Sequence, residues 1–300
     1  MKPYRPSNIV PLPGLLILLL LTAIAGLIVG GLLWFADNRI GLYLIILFPI
    51  IAGFIVGTAG TRGVRMGKIR NPLVAGLIGL LGGVLVGGVY HYLGYELSFK
   101  EEVRQAIIQQ SPTATFSPQD VQNFTDEFLR SEVNDTGFVG FLKLEAKEGI
   151  TITRSSSSSG IALKDAWAWG YFVFEILVIA VLAAIMMSNA AREPFDERAN
   201  TWFRDAVYLG GAGGDDGTNL VSALQNGAFE QAGRLVRPES TELGVPRVEL
   251  HARLSPDANA SEAVLEVKSV TANRRNEVSM RTLMVGMVTR EELLRLKAAT

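Results

Sequence analysis

The chain has 300 residues, 49% of them hydrophobic and 19% charged, with a formal net charge of −1. It contains no cysteine, which excludes disulfides, thiolate metal sites and a cysteine nucleophile. The near-neutral balance argues against a nucleic-acid partner. Its two histidines, His91 and His251, stand in separate segments, so neither a metal centre nor a cofactor is expected.

Apolar residues come in blocks instead of at amphipathic spacing, and four blocks reach the roughly 20 residues that a hydrocarbon core demands: 12–36, 41–61, 72–93 and 166–189. Lys2 and Arg5 precede the first, but its apolar part outruns a signal-peptide core of about 7–15 residues, so it reads as a retained span. Asp37-Asn38-Arg39 reads as a tight turn that makes the first two spans antiparallel neighbours. Pro49, placed inside the second span, predicts a kink.

The connection TRGVRMGKIRNP carries Arg62, Arg65, Lys68 and Arg70 with no acid, a pattern that sets topology and offers contact to lipid head groups. Lys2, Arg5, Arg192 and Arg198 fall on the same side of a four-span chain. A multi-pass protein of the cell (cytoplasmic) membrane is therefore expected, with both termini cytoplasmic and the lipid bilayer as its first partner. Trp34, Phe35, Tyr90, Tyr92, Trp167 and Trp169 collect at the opposite boundary, where amphipathic rings settle. Asn71-Pro72 reads as the start of span three, and Asp165 as the cap of span four.

In span three Gly76, Gly79, Gly83, Gly87 and Tyr90 share one face. Gly26 and Gly30 in span one, and Gly53 and Gly57 in span two, repeat the four-residue spacing. Small residues so placed let helix backbones approach closely in lipid, within one bundle or between copies of the chain as a homo-oligomer. Glu175 interrupts the apolar run YFVFEILVIAVL, and no Lys or Arg lies inside any span to neutralise it. A protonated Glu175 that donates a hydrogen bond is expected, with Tyr171 one turn away on its own face and Thr22, Tyr90 or His91 as partners from other spans.

Segment 94–165 is too long for a plain connection and predicts two short helices, one over SFKEEVRQAIIQQ and one over PQDVQNFTDEFLRSEV. Ser117 and Asp120 form a capping box for the second, and Val121, Phe124, Phe128 and Leu129 its apolar stripe. Asn123 and Asn134 head weak glycosylation sequons, and RSSSSSG at 154–160 reads as a flexible link. After span four, GGAGGDDG at 210–217 reads as linker and lacks the lysine and hydroxyl of a phosphate-binding loop. A helical stretch over 218–236 then precedes three strands, RVELHARL, AVLEVKSVTA and VSMRTLMVGMV, in an antiparallel meander, with His251 a solvated strand residue. A helix with a Thr289/Glu292 capping box closes the chain.

From GFVGFLKLEAKEGITI through FEILVIAVLAAIMMSNAAREPFDERANTWF, the chain resembles a group of uncharacterised bacterial multi-pass proteins that carry a Pro-Phe-Cys-x-x-Cys-x-x-Trp-aromatic stretch after a similar span. Pro194, Phe195, Trp202 and Phe203 match, whereas Asp196 and Ala199 stand where the cysteines would be. The resemblance implies a bacterial source and no activity, and it implies that a metal or thiol role is absent here.

The organisation expected is an N-terminal tail with three spans (1–93), an extracytoplasmic helical loop (94–165), a fourth span (166–190), a linker (191–217) and a cytoplasmic α+β domain (218–300). That fold class is an α-helical membrane protein whose four-span bundle carries an outer insertion and an inner α+β docking module. No nucleophile or acid-base constellation can be assembled, so the expected role is non-enzymatic: a scaffold or adaptor with a protein partner. The alternatives are a proton- or ion-linked transport subunit working through Glu175 and an outer-loop sensor.

Overall fold

The computed structural model describes residues 1–41, 45–111, 115–152, 161–238, 243–273 and 277–299. The proposed 154–160 link lies outside them. Two compact units emerge: Ile9–Ala191, and a second that joins Met1–Asn8 to Arg192–Thr300.

The first unit holds four helices long and apolar enough to cross a membrane. They are α1 (Leu12–Ile40), α2 (Leu47–Gly67), α3 (Pro72–Leu93) and α7 (Ala166–Ala191). The apolar blocks are where the sequence puts them, but several ends move. Asp37, Asn38 and Arg39 are the last turn of α1 and not a hairpin. The Asn38 amide donates to the Trp34 carbonyl, Arg39 lies over the Trp34 ring, and left-handed Gly41 (φ 70°) ends the helix.

Helix α2 starts later than expected, so Pro49 falls in its first turn, where a missing N–H costs no intrahelical bond and no interior kink results. It also ends later, at left-handed Lys68, which puts Arg62 and Arg65 on helix instead of loop. Arg70 is buried, whereas Arg62 and Arg65 are exposed. Asn71 caps α3 as its residue type predicts, its side chain accepting from the Leu73 and Val74 N–H groups at 3.1 Å. Asp165 is left-handed (φ 52°), and its carbonyl accepts from the Trp169 N–H at 3.1 Å.

Glycine governs how the rods meet. An ideal Cβ on Gly79 would lie 2.7 Å from the Ala184 Cα, and one on Gly83 would fall on the Ala180 backbone; Gly87 meets Ile176, and Gly76 meets Ser188 with ordinary room. All four belong to the α3–α7 seam. Gly53 and Gly57 receive α7 at Ile179 and Ala183, while Gly26 and Gly30 receive α3 at Leu85 and Val86. The eight small residues thus lie against other helices of the same chain. Outward positions such as Leu20, Phe54, Leu81 and Leu177 are apolar and exposed, as a lipid-facing surface requires.

Beyond α3 the helix does not stop. A six-residue π-helical stretch, Gly94–Phe99, runs directly into α4 (Lys100–Gln110), so the expected separate short helix is an extension of the third rod. Helix α5 (Pro118–Val133) carries the predicted Ser117/Asp120 capping box. A further helix, α6 (Gly137–Glu148), packs its Phe141 and Leu144 with Leu129 and Tyr95 into a small core. Strands β2 (Ile150–Ile152) and β3 (Ile161–Leu163) pair before α7.

The second unit contains β1 (Lys2–Pro3), β4 (Phe195–Asp196), β5 (Thr201–Trp202), β6 (Val207–Gly213), β7 (Arg247–Leu254), β8 (Glu262–Ala272) and β9 (Val278–Thr289). Its helices are α8 (Gly214–Gln225), α9 (Phe229–Leu235) and α10 (Arg290–Ala298). The sheet order is β1-β9-β8-β7-β6, antiparallel throughout, so the predicted meander is present with a strand added at each edge.

Two expectations are corrected here. The tail enters the sheet: Lys2 and Pro3 pair with Met287 and Gly286, and the Tyr4 hydroxyl donates to the Glu193 carbonyl while accepting from the Phe195 N–H. Segment 191–217 is no linker, because it holds β4, β5, β6 and the start of α8. Its glycines serve close approach: Gly211 exchanges backbone hydrogen bonds with Arg237, and a Cβ there would lie 2.6 Å from the Val248 carbonyl oxygen. Strand β6 leads directly into α8, whose first turn holds Asp215 and Asp216, and these oppose an incoming phosphate.

One face of the sheet packs Leu250, Leu265 and Val267 against Leu220, Leu224 and Leu296 of the helices. The other carries charge. Arg247 donates to Glu249 at 2.8 Å, the His251 Nε2 lies 3.2 Å from that carboxylate, and Arg253 and Lys268 converge on Glu266. His251 is consequently half-sequestered in an ion-pair network, with 14% side-chain exposure, and is not the solvated residue expected. Burial opposes ionisation of Glu266, but hydrogen bonds from Arg253 and Lys268 outweigh it and hold the carboxyl below its usual range.

The α3–α7 seam yields a paired prediction. Gly83→Ala forces a methyl into the Ala180 backbone and is expected to destabilise the folded chain by about 2 kcal/mol, within the overpacking range. Gly88→Ala, where nothing lies within 4 Å, is expected to be neutral or slightly stabilising. Thermal unfolding of the two variants in one detergent, followed by circular dichroism, checks the ordering.

Candidate functional site

Polar side chains gather at the end of the first unit where α1 finishes, α3 passes into its π-helical stretch and α7 begins. Glu175, only 7% exposed, accepts a short hydrogen bond from the Tyr171 hydroxyl one turn away on α7. The same hydroxyl lies 3.4 Å from the Ile45 carbonyl oxygen. On α3 the Tyr90 hydroxyl donates to Asp37 Oδ2 at 2.5 Å, and the neighbouring His91 places Nδ1 3.2 Å from Glu145 Oε2. The His91 ring, buried at 8% exposure, meets Phe172 edge-on at 4.8 Å and Tyr90 at 5.0 Å.

These groups border two cavities. A void of about 20 Å³ is enclosed by Leu33, Pro49, Gly87, Tyr90, His91 and Glu175, among others. That is room for one water molecule, with polar groups on its rim to hold it. Beyond it lies a cavity of about 590 Å³, a volume typical of small-molecule sites. Tyr90 and His91 line both cavities and so stand between the outer space and Glu175.

Helices α4, α5 and α6 build the walls of the larger cavity. Phe99, Ile107, Phe124, Phe128, Phe141 and Leu144 supply apolar surface, and Asp37, Glu102, Glu145 and Glu148 supply carboxylates. Phe124 and Phe128 remain over 40% exposed because the predicted stripe of α5 splits: Val121 and Leu129 turn inward and are buried, while the two rings border the cavity. Ser98 also lines it and accepts from the Trp34 indole N–H at 3.1 Å, tying α1 to the π-helical stretch.

Of the residues singled out from the sequence, Glu175, Tyr90 and His91 border one void, with Tyr171 bonded to Glu175. Thr22 does not join them. It packs against Gly82, about three turns along α1 from Leu33, the residue of that helix that borders the void. Its hydroxyl is buried with no hydrogen-bond partner among the described residues.

Sequence reasoning misses Asp37 and Glu145. Asp37 reads as part of a turn, and the signal that could have found it is its position opposite Tyr90 once α1 is extended by a turn. Glu145 lies on α6, whose Phe138, Phe141, Leu142 and Leu144 spacing marks an amphipathic helix. No cluster of three or more His, Asp or Glu able to hold a metal ion occurs among the described residues. No protein-family model matches the chain, and neither curated proteins nor solved structures yield a match.

Glu175 separates hydrogen bonding from charge. Glu175→Gln retains an acceptor for Tyr171 and is expected to unfold within about 1 kcal/mol of wild type, whereas Glu175→Leu removes that acceptor, leaves the hydroxyl the longer contact to the Ile45 carbonyl, and is expected to cost more, about 1–3 kcal/mol. Comparative melts of the solubilised chain measure the difference.

Proposed function

We propose that the chain is a non-enzymatic adaptor of a bacterial cytoplasmic membrane: a four-helix bundle with a helical cap outside and an α+β docking domain inside. Pairing of β1 with β9 supports the topology, since it draws both ends of the chain into one soluble unit. Ends on a shared side require an even number of crossings, and four candidate spans satisfy that requirement. Exposed Arg62 and Arg65, with Lys68, support a cytoplasmic assignment for that side.

The docking role rests on β9. Beyond its short pairing with β1, the stretch from Val278 to Met284 has no strand on its outer side among the described residues, and Val278, Met280 and Leu283 are exposed there. An open edge with apolar side chains is the arrangement by which an extended segment of a partner is added to a sheet. The transport reading has less support. The site's polar groups sit at one end of the rods, while toward the other end the core is Leu18, Val64, Ile69, Ile78 and Met187, with Arg70 the buried charge there.

Met280→Lys combined with Leu283→Lys blunts the edge without touching the core. Affinity purification of the full-length chain from native membranes is expected to recover the partner of β9 with wild type and at least about tenfold less with the double variant. Equal recovery from both would remove the docking role.

A further inference from the structure

We propose that the outer cavity of about 590 Å³ binds an organic cation with an apolar body, of the quaternary-ammonium or bulky-amine class. This goes beyond the adaptor reading and does not depend on it, because it requires nothing of β9.

Three observations carry the assignment. The first is charge. Among the described residues Asp37, Glu102, Glu145 and Glu148 line the cavity, and neither Lys nor Arg does. Glu102 and Glu148 make no hydrogen bond or ion pair among the described residues, and Asp37 is held by a neutral phenol. Several cations of the surrounding helices are paired with other acids, Lys100 with Glu96, Arg104 with Glu101, Lys143 with Asp135 and Lys147 with Glu132, while Arg39 lies over the Trp34 ring and neither it nor Arg130 is among the lining residues. With Glu145 set against His91, the remaining lining acids leave the cavity net negative, and an anionic head group is disfavoured there.

The second observation is the wall. Phe99 lies 5.2 Å from Phe141 and 6.2 Å from Phe128, centroid to centroid, and all three rings border the cavity. Clustered aromatic faces attract a desolvated cation, and they accept alkyl or aryl substituents that an inorganic ion lacks. The third is the carboxylate geometry. The described residues contain no group of three acids or histidines close enough to share a metal ion, so the charge suits a diffuse cation better than a coordinated one.

The test uses the full-length chain in nanodiscs of neutral phosphatidylcholine, with radiolabelled tetraphenylphosphonium as probe and tetraphenylborate, its counterpart of opposite charge, as control. Saturable phosphonium binding above empty nanodiscs is expected, with the borate at least about tenfold weaker. Glu102→Gln with Glu148→Gln is expected to weaken phosphonium binding roughly tenfold, since each exposed charge is worth up to about fivefold. Ala106→Arg, which sets a cation on an exposed cavity position of α4, is expected to abolish it and keeps the test open should the double variant fold poorly. Phosphonium binding no greater than to empty nanodiscs, borate binding as tight, or folded variants that bind like wild type would each overturn the assignment.

Discussion

Close backbone contact between α3 and α7 is the constraint on which the first unit depends. In lipid, apolar side chains gain nothing by leaving the solvent, so helices associate through matched surfaces and the dispersion contacts those surfaces permit. Gly79 faces Ala184, Gly83 faces Ala180 and Gly87 faces Ile176; one turn further, His91 faces Phe172. Each step of four along one helix is answered by a step of four in the opposite direction along the other. The register that closes the glycine seam is thus the register that brings Tyr90 and His91 over the void beside Glu175.

Polarity is distributed along the rods in keeping with that seam. Where glycines and alanines let backbones touch, there is no room for water or for a charged side chain. Past Gly87 the contact passes to larger residues, the helices leave space, and the acids, tyrosines and histidine appear. The outer cavity follows from the uninterrupted run of α3 through its π-helical stretch into α4. That run provides one long wall, which α5 and α6 complete with Leu129, Phe141 and Leu144 as their own small core.

The spans were legible because a run of about 20 apolar residues covers every face of a helix and is long enough to cross a hydrocarbon core. The meander was legible because its apolar and β-branched runs are separated by SPDANASE and NRRNE, segments of turn-forming residue types. Ends were not. Asp37-Asn38-Arg39 looks like a turn by residue type, but Trp34 holds Asn38 and Arg39 in helical geometry, an effect that local propensity does not carry. The glycines of 210–213 read as flexible when their missing side chains in fact admit Arg237 and Val248 from either side. A two-residue strand such as Lys2–Pro3 has no periodicity to detect. At the site, Glu175 stood out because it violates its surroundings, whereas Asp37 and Glu145 became visible only once the helices that present them were placed.

The most direct test of the seam uses the absence of cysteine from the chain. A Cβ on Gly76 would lie 3.7 Å from the Ser188 Cβ, within the range for a disulfide. In the double variant Gly76→Cys with Ser188→Cys, mild oxidation in membranes is predicted to give a thiol-free monomer that migrates as a single chain. Free thiols after oxidation, or a covalent dimer in place of the monomer, would contradict a seam formed within one molecule.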